Sequence, residues 1–299
     1  MMYTGFYEIR INDPDSFLGL RFPEYWVFRG QERDWSLKTT IERLFDELKY
    51  NYFWLSNPEW KIEESFDELF REKVALLLGN HIQGRLELRA LMQHYGMPTR
   101  FLDFTKSFFI ALYFAGKDCD STYNDGVVWA VNLVELYKSH VLGGRVLNVN
   151  TVNLGEIAAD YRSRNITEIG RCFPMLIPLD LYPEQLTKNK RFINQQGKFL
   201  MFMGNNGFEE SFYSSFGLKK NDKQERELNN LDKNFIETKL IKFIVPQRIK
   251  TNLLQYLNNI KINQEFLFPD NDHLADKLEN VCKEIIVEFK KQELAGRNY

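Results

Sequence analysis

The sequence predicts an α+β fold, a single mixed domain with a small, mainly antiparallel sheet flanked by helices. Three observations predict it. Short apolar runs of strand length, at 25–28, 127–131 and 240–245, are interspersed with longer segments whose apolar residues recur at three- and four-residue intervals. No internal repeat or Gly/Ser linker divides the 299 residues, so 1–299 reads as one domain. The chain has 25 phenylalanines, so rings dominate a core that buries roughly three quarters of the unfolded surface.

In chain order, residues 1–24 are mixed and carry no clear period. Tyr25-Trp26-Val27-Phe28 is a strand closed by Arg29-Gly30, where a glycine lets the backbone turn or come close to a ligand. From Ser36 the pattern is helical, with Ile41, Leu44, Phe45 and Leu48 on one face. A second helix follows the turn at Asn57-Pro58, with Ile62, Phe66, Leu69, Phe70, Leu77 and Leu78 as its apolar stripe. A short third helix reaches Tyr95, and Gly96 with Pro98 ends it. Asp103 and Thr105 are candidate N-caps of a helix running to about Ala115, with Ser107 in its first turn.

After the turn at 123–126 comes the strand 127–131, then a helical turn at 133–139. The extended run 173–178 holds two prolines, which suggests an edge position or irregular pairing. Residues 191–202 read as a polar loop, a glycine turn and a strand. The charged, amide-rich stretch 218–234 reads as a solvated loop or helix and a mobile insertion. Strand 240–245 precedes Pro246 and a helix with the core face Ile249, Leu253, Leu254, Leu257 and Ile260. Phe266 to Asp270 form an apolar tether to a final helix that buries Leu274, Leu278, Val281, Ile285 and Phe289.

A net charge of −2 offers no excess of cations to displace counterions, so it does not support nucleic-acid binding. Cys119, Cys172 and Cys282 have neither metal-ligand nor redox spacing, the pattern of reduced thiols. The first ten residues lack the basic and apolar regions of a secretory signal, and no apolar run is long enough for a bilayer. The expectation is a soluble cytoplasmic protein.

The densest polar chemistry lies in 93–107, from Gln93-His94-Tyr95-Gly96 to Asp103-Phe104-Thr105-Lys106-Ser107. It is followed directly by an apolar run, 108–115, that plugs it into the core. His94 is either a general acid or base, since imidazole titrates near neutrality, or a helix-terminal histidine bonded to carbonyls. Arg29 is either a fork for a phosphate or carboxylate, or the partner of an internal carboxylate such as Asp103. Asp103 reads first as an N-cap paired with Arg100, while Arg100 beside Arg29 would make an anion pocket. Thr105 and Ser107 sit near a helix start, which suits phosphate as well as capping. Tyr95 buries its ring or stacks on a base. Gln195 and Gln196 at a turn are either ligand contacts or turn chemistry. The four histidines are too scattered for a metal site.

Phe28-Arg29-Gly30-Gln31 resembles the motif that names the FRG domain. The block from His94 to Thr105 with Ala111-Leu112-Tyr113-Phe114-Ala115, then Gln195-Gln196-Gly197-Lys198-Phe199 and Leu267-Phe268-Pro269-Asp270, resembles its further hallmarks, in matching order over about 22–290. That domain occurs in bacterial and phage proteins, some linked to defence. Phe28-Arg29-Gly30 is also similar to the strand-end motif that holds NAD in arginine-class mono-ADP-ribosyltransferases, with Thr105-Lys106-Ser107 standing for the supporting strand. Gln195-Gln196 stands where those enzymes carry an acid. The resemblance implies an ADP-ribosyltransferase-like fold and an enzyme using NAD, or another nucleotide-like small molecule, in a conflict system with a protein partner or antitoxin. It names no resident cofactor. In that reading Arg29, Gly30, Arg100, Thr105, Ser107, Tyr95 and Gln195 bind ligand and His94, Gln196 and Asp103 are catalytic. A metal-dependent phosphodiester hydrolase, with His94 as base and Asp103 as an acid or single metal ligand, and a non-enzymatic sensor are the alternatives.

Overall fold

A computed structural model describes residues 5–13, 17, 19–49, 58–78, 85–118, 124–138, 175–179, 189–203, 207–227, 238–269 and 273–296. In chain order these form β1 (Phe6–Arg10), β2 (Trp26–Gln31), α1 (Thr40–Leu48), α2 (Pro58–Leu78), α3 (Arg85–His94), β3 (Phe101–Thr105), α4 (Phe108–Gly116), β4 (Gly126–Asn132), α5 (Leu133–Lys138), β5 (Met175–Leu179), α6 (Lys190–Asn194), β6 (Gly197–Met203), α7 (Gly207–Ser215), β7 (Gln224–Arg226), β8 (Leu240–Val245), α8 (Lys250–Asn259), α9 (Gln264–Leu267) and α10 (His273–Gly296). The α+β class is as expected.

The strands form one sheet in the order β5-β6-β3-β2-β4-β8-β1-β7. It is mainly antiparallel, with β1 parallel to both β8 and β7. With eight strands it is wider than the small sheet expected, because three strands escape the sequence reading. β1 lies in the unassigned first residues. β3 lies where caps were expected. β7 lies in the charged 218–234 stretch, of which 228–234 fall outside the described residues. β7 and β1 pair Glu225 with Glu8 and Arg226 with Ile9, so the start of that stretch is sheet edge rather than solvated loop. β5 does lie at an edge, as its proline implied.

Strand alternation feeds two apolar layers. Val27, Trp129, Val131 and Leu240 join Phe66, Phe70, Leu91, Phe212 and Ile285 on one side. Trp26, Phe28, Val128, Ala130, Ile241 and Phe243 join α4, Leu253 and Leu257 on the other. β4 is buried at every position, consistent with a central strand covered on both faces. Ile260, expected in the core, is 41% exposed because the helix has ended at Asn259. Leu274 lies outside the described side chains, while Leu278, Ile285 and Phe289 are buried.

The helix α4 approaches the sheet unusually closely. A β-carbon on Gly30 would stand 1.9 Å from the Ala111 carbonyl oxygen, and one on Gly126 would stand 2.1 Å from that of Ala115. The backbone at Gly30 has no positive φ. Glycine is required there by a neighbouring helix and not by a turn. α8 covers α4, and the buried Lys250 at its start donates to the carbonyls of Glu32 and Asp118, at 2.9 and 3.2 Å. The ends of β2 and α4 are thereby tied together.

A second lock is ionic. Arg89 of α3 donates to both oxygens of Asp67, at 3.1 and 3.0 Å, and to Glu63 of α2, at 3.1 Å. Arg100 donates from Nε to the same Glu63 oxygen, at 2.9 Å, with its guanidinium over the Phe202 ring. All four side chains are buried. The set holds two positive and two negative charges, the balance that burial demands. Arg100 is therefore neither the partner of Asp103 nor part of an anion pocket.

Two measurements check these locks. Gly30→Ala should lower stability by about 3 kcal/mol, the upper end of the usual overpacking cost, in denaturant unfolding. Gly19→Ala, where a β-carbon meets nothing within 4 Å, should stay within about 0.5 kcal/mol. Glu63→Leu removes the carboxylate to which Arg100 and Arg89 donate, and should cost about 3–5 kcal/mol.

Candidate functional site

β2 and β3 share one registered pair, Phe28 with Thr105. Beyond it the strands part, while β3 stays paired to β6 from Phe101 to Thr105 and β2 to β4 from Trp26 to Gln31. Alternation along β2 sends Phe28 into the α4 layer, against the Phe108 ring at 5.5 Å, and turns Arg29 the other way. Arg29 Nη1 donates to the Asp103 carbonyl at 2.8 Å, across the gap where a ladder bond would otherwise lie.

At this split lies a cavity of about 350 Å³, within the range of small-ligand pockets. Arg29, Gly30, Gln93, His94, Asp103 and Thr105 line it from β2, α3 and β3. Phe114 and Lys117 come from the end of α4, and Arg191, Phe192 and Gln195 from α6 and its turn. Gly197, Lys198 and Phe199 come from β6, and Phe268 from the segment after α9. Side chains far apart in sequence thus meet around one hollow.

Six of the ten expected site residues stand here: Arg29, Gly30, His94, Asp103, Thr105 and Gln195. The other four do not. Arg100 belongs to the ionic lock. Tyr95 is buried in the core, 5.0 Å from the His94 ring. Ser107, not Asp103 or Thr105, is the N-cap of α4, and its hydroxyl accepts from the Ile110 N–H at 3.3 Å. Gln196 is exposed, with φ +48°, and its carbonyl accepts from the Lys106 N–H at 3.1 Å. Gln196 is turn chemistry and stands outside the lining of the cavity. Thr105 has a double bond pattern. Its hydroxyl donates to the Gln195 carbonyl at 2.7 Å and accepts from the Ser107 N–H at 3.1 Å.

Asp103 sits on a strand and faces the cavity, where it is the only carboxylate among the described lining residues. Gln93 Nε2 donates to its Oδ2 at 2.8 Å. The Thr99 hydroxyl donates to the Gln93 Oε1, which fixes the amide so that its NH₂ faces the carboxylate. Asp103 is open to solvent at the cavity, and the protein packed around it disfavours its charge enough to raise its pKa. Arg29, the Gln93 bond and Arg191 oppose that rise without cancelling it. The same desolvation lowers Arg29 to about 10, against the pull of Asp103. Arg29 nevertheless stays charged at neutral pH. Its Nε has no hydrogen-bond partner among the described residues, and most of its five N–H donors are unspent.

Sequence reading missed several walls. Arg191 lies over the Phe268 ring at 5.1 Å and pairs with Glu279 at 3.4 Å. Lys117 pairs with Glu32 at 2.9 Å. Lys198 is lowered to about 8 by burial and by Lys106. Phe192 stands edge-on to His94 at 6.2 Å, and Phe114 edge-on to Phe268 at 6.2 Å. The last wall is hung by side chains. Asn194 Nδ2 donates to the Phe266 carbonyl at 2.7 Å, and Gln195 Nε2 to that of Leu267 at 3.1 Å. Only the motifs at 195–199 and 267–270 signalled this wall in the sequence, since α6 and α9 are too short to show a period.

The arrangement offers guanidinium groups for an anion, rings for a flat apolar group, and one oriented carboxylate beside an imidazole. Among the described residues no group of three or more His, Cys, Asp or Glu side chains could hold a metal ion, so the hydrolase alternative lacks its ligand set there. Cys282 is buried and its thiol is pushed up to about 12, chiefly by burial. The other two cysteines lie outside the described residues. No described helix is long and apolar enough to cross a membrane.

No curated protein and no solved structure matches the chain. The family model described as FRG domain matches residues 24–123, a shorter span than the 22–290 of the motif resemblance. The matched stretch contains the Phe28-Arg29-Gly30 strand, the split with Asp103, and the helix that Gly30 admits. The Arg191 to Phe199 wall and Phe268 lie outside it. Over residues 24–123 the chain is similar to the FRG domain.

Proposed function

We propose that the cavity binds a phosphorylated, ring-bearing small molecule of the nucleotide class, with NAD as the candidate substrate, and that the protein is an ADP-ribosyltransferase-like enzyme. The supporting observation is Arg29. It projects into a gap between two strands, spends one N–H on a carbonyl, and keeps Nε without a partner. A planar fork held in that way matches phosphate oxygens. Arg191 and Lys117 add positive charge, and Phe114, Phe192 and Phe268 give a flat ring apolar walls.

In this reading Asp103 supplies the negative charge that Gln195 and Gln196 lack. When the glycosidic C–N bond of NAD breaks, its electron pair leaves with nicotinamide, and the sugar carbon becomes positive. An oriented carboxylate stabilises that charge. The acceptor's oxygen or nitrogen then bonds to the carbon, and its proton passes to Asp103 or His94. Gln195 holds the rim while Thr105 anchors its carbonyl. A toxin or defence role accords with consumption of NAD and with where FRG domains occur.

The test is binding and turnover of NAD by the purified protein. NAD should raise the melting temperature of the wild type, and nicotinamide should accumulate. Arg29→Met should keep the fold and lose about 10–100-fold in affinity, the worth of hydrogen bonds to a charged group. An unchanged melting temperature together with no nicotinamide release would overturn the reading.

A further inference from the structure

Asp103 is open to solvent, so packing alone does not aim its carboxylate. The side chain that reaches it is Gln93 of α3, whose Nε2 donates to Oδ2 at 2.8 Å. An amide has a donor end and an acceptor end of nearly equal shape. Gln93 is set one way round by its surroundings. Its Oε1 receives the Thr99 hydroxyl and, at 3.4 Å, that of Thr40. Turned over, the amide would deprive both hydroxyls of that acceptor and set an oxygen against the carboxylate. The Thr99 oxygen accepts the Phe101 N–H at 3.1 Å, which leaves its proton for the amide. Phe101 opens β3, the strand that carries Asp103 two residues on. Through its first N–H that strand helps to set the amide that holds its own acid. Thr99 is rooted in turn on α1. Its N–H donates to Thr40 Oγ1 at 2.9 Å, and its carbonyl accepts the Ile41 N–H at 3.2 Å. Gln93 and Thr99 are both buried, and of the two only Gln93 lines the cavity.

We infer that Gln93 is a positioning residue for the proposed reaction, and that Thr99, outside the cavity, locks its amide in the working orientation. The inference rests on the reading in which ionised Asp103 stabilises positive charge on the ligand. The amide takes Oδ2 and leaves Oδ1 to the ligand. An open carboxylate without that hold spreads over several rotamers, and its charge faces the sugar carbon only part of the time. Donation by Gln93 also favours the ionised form, against the opposing effect of desolvation. One amide thus serves both the aim and the charge of Asp103. The sign follows. Without the amide donor, Asp103 takes up its proton at a higher pH than in the wild type. The charged or titratable groups around it are Arg29 of β2, His94 of α3, Lys117 of α4, Arg191 of α6 and Lys198 of β6. They are common to the wild type and the variants below, so a difference in titration reports the amide.

The experiment is a carboxyl-carbon NMR titration of Asp103 in the full chain, alongside nicotinamide release from NAD. Gln93→Leu should raise the pH midpoint of Asp103. It should also lower kcat about 10–100-fold at little cost in KM, the scale on which a small misplacement costs rate. Thr99→Val should act in the same direction with Gln93 and Asp103 both present, which separates the lost bond from the greater apolarity of leucine. Thr99→Ser keeps the hydroxyl and should restore wild-type values. Thr99→Val also leaves the Phe101 N–H without its acceptor, so the melting temperature of each variant is read, and Gln93→Leu decides should Thr99→Val not fold. A midpoint unchanged by Gln93→Leu, a folded Thr99→Val that titrates as the wild type does, or a change that Thr99→Ser fails to reverse would overturn the inference. So would a raised midpoint with unchanged kcat in a protein that releases nicotinamide. A wild type that releases none would sink the NAD reading alone, and the midpoints would still decide whether Gln93 and Thr99 hold Asp103.

Discussion

The contact between α4 and the two central strands sets the geometry of everything around the cavity. Two glycines on neighbouring strands, Gly30 and Gly126, let helix carbonyls sit where β-carbons would be. A helix at that depth needs no polar face, and α4 has seven of its nine residues buried. Its start is fixed by the Ser107 cap beside Thr105, and its end carries Phe114 and Lys117 to the cavity. Holding β2 against α4 also stops it from following β3. The split between the strands is the space in which Arg29 stands.

The polar block from Gln93 to Ser107 divides between two tasks. Thr99, Arg100 and Ser107 hold structure, through Gln93, Glu63 and the N-terminus of α4. His94, Asp103 and Thr105 face the hollow. Spacing could not separate them, because β3 lies inside the block and alternation along a strand was not expected there. Arg100 illustrates the problem. Its partner Glu63 is 37 positions away on an amphipathic helix, at a position outside the apolar stripe. A buried carboxylate on such a helix becomes visible only when the facing helix brings Arg89 to it.

The long helices and the central strands were legible because each keeps one period over enough residues. β1 and β7 were not legible, because each is short and pairs far from its sequence neighbours. At the site, Arg29 and Gly30 could be singled out from the strand ending, but the reason for Gly30 was misread. It makes room for a helix rather than for a ligand. Asp103, read first as a cap, lies mid-strand and faces the same cavity as Gln195. Distance in sequence hid the pairing of β3 with β6 that puts them at one site.

The outer wall has a different origin from the floor. Its residues come from two helices of five and four residues, joined to each other by amide side chains reaching carbonyls. Neither contributes a strand to the sheet or a side chain to the ionic set. Leu267, Phe268 and Phe192 root this wall in the apolar layers beneath, and its outward side chains can change without disturbing them. On the proposed reading of the cleft, a change of guest asks for substitutions at the outward positions of 189–196 and 263–268 and leaves the arginine beneath in place.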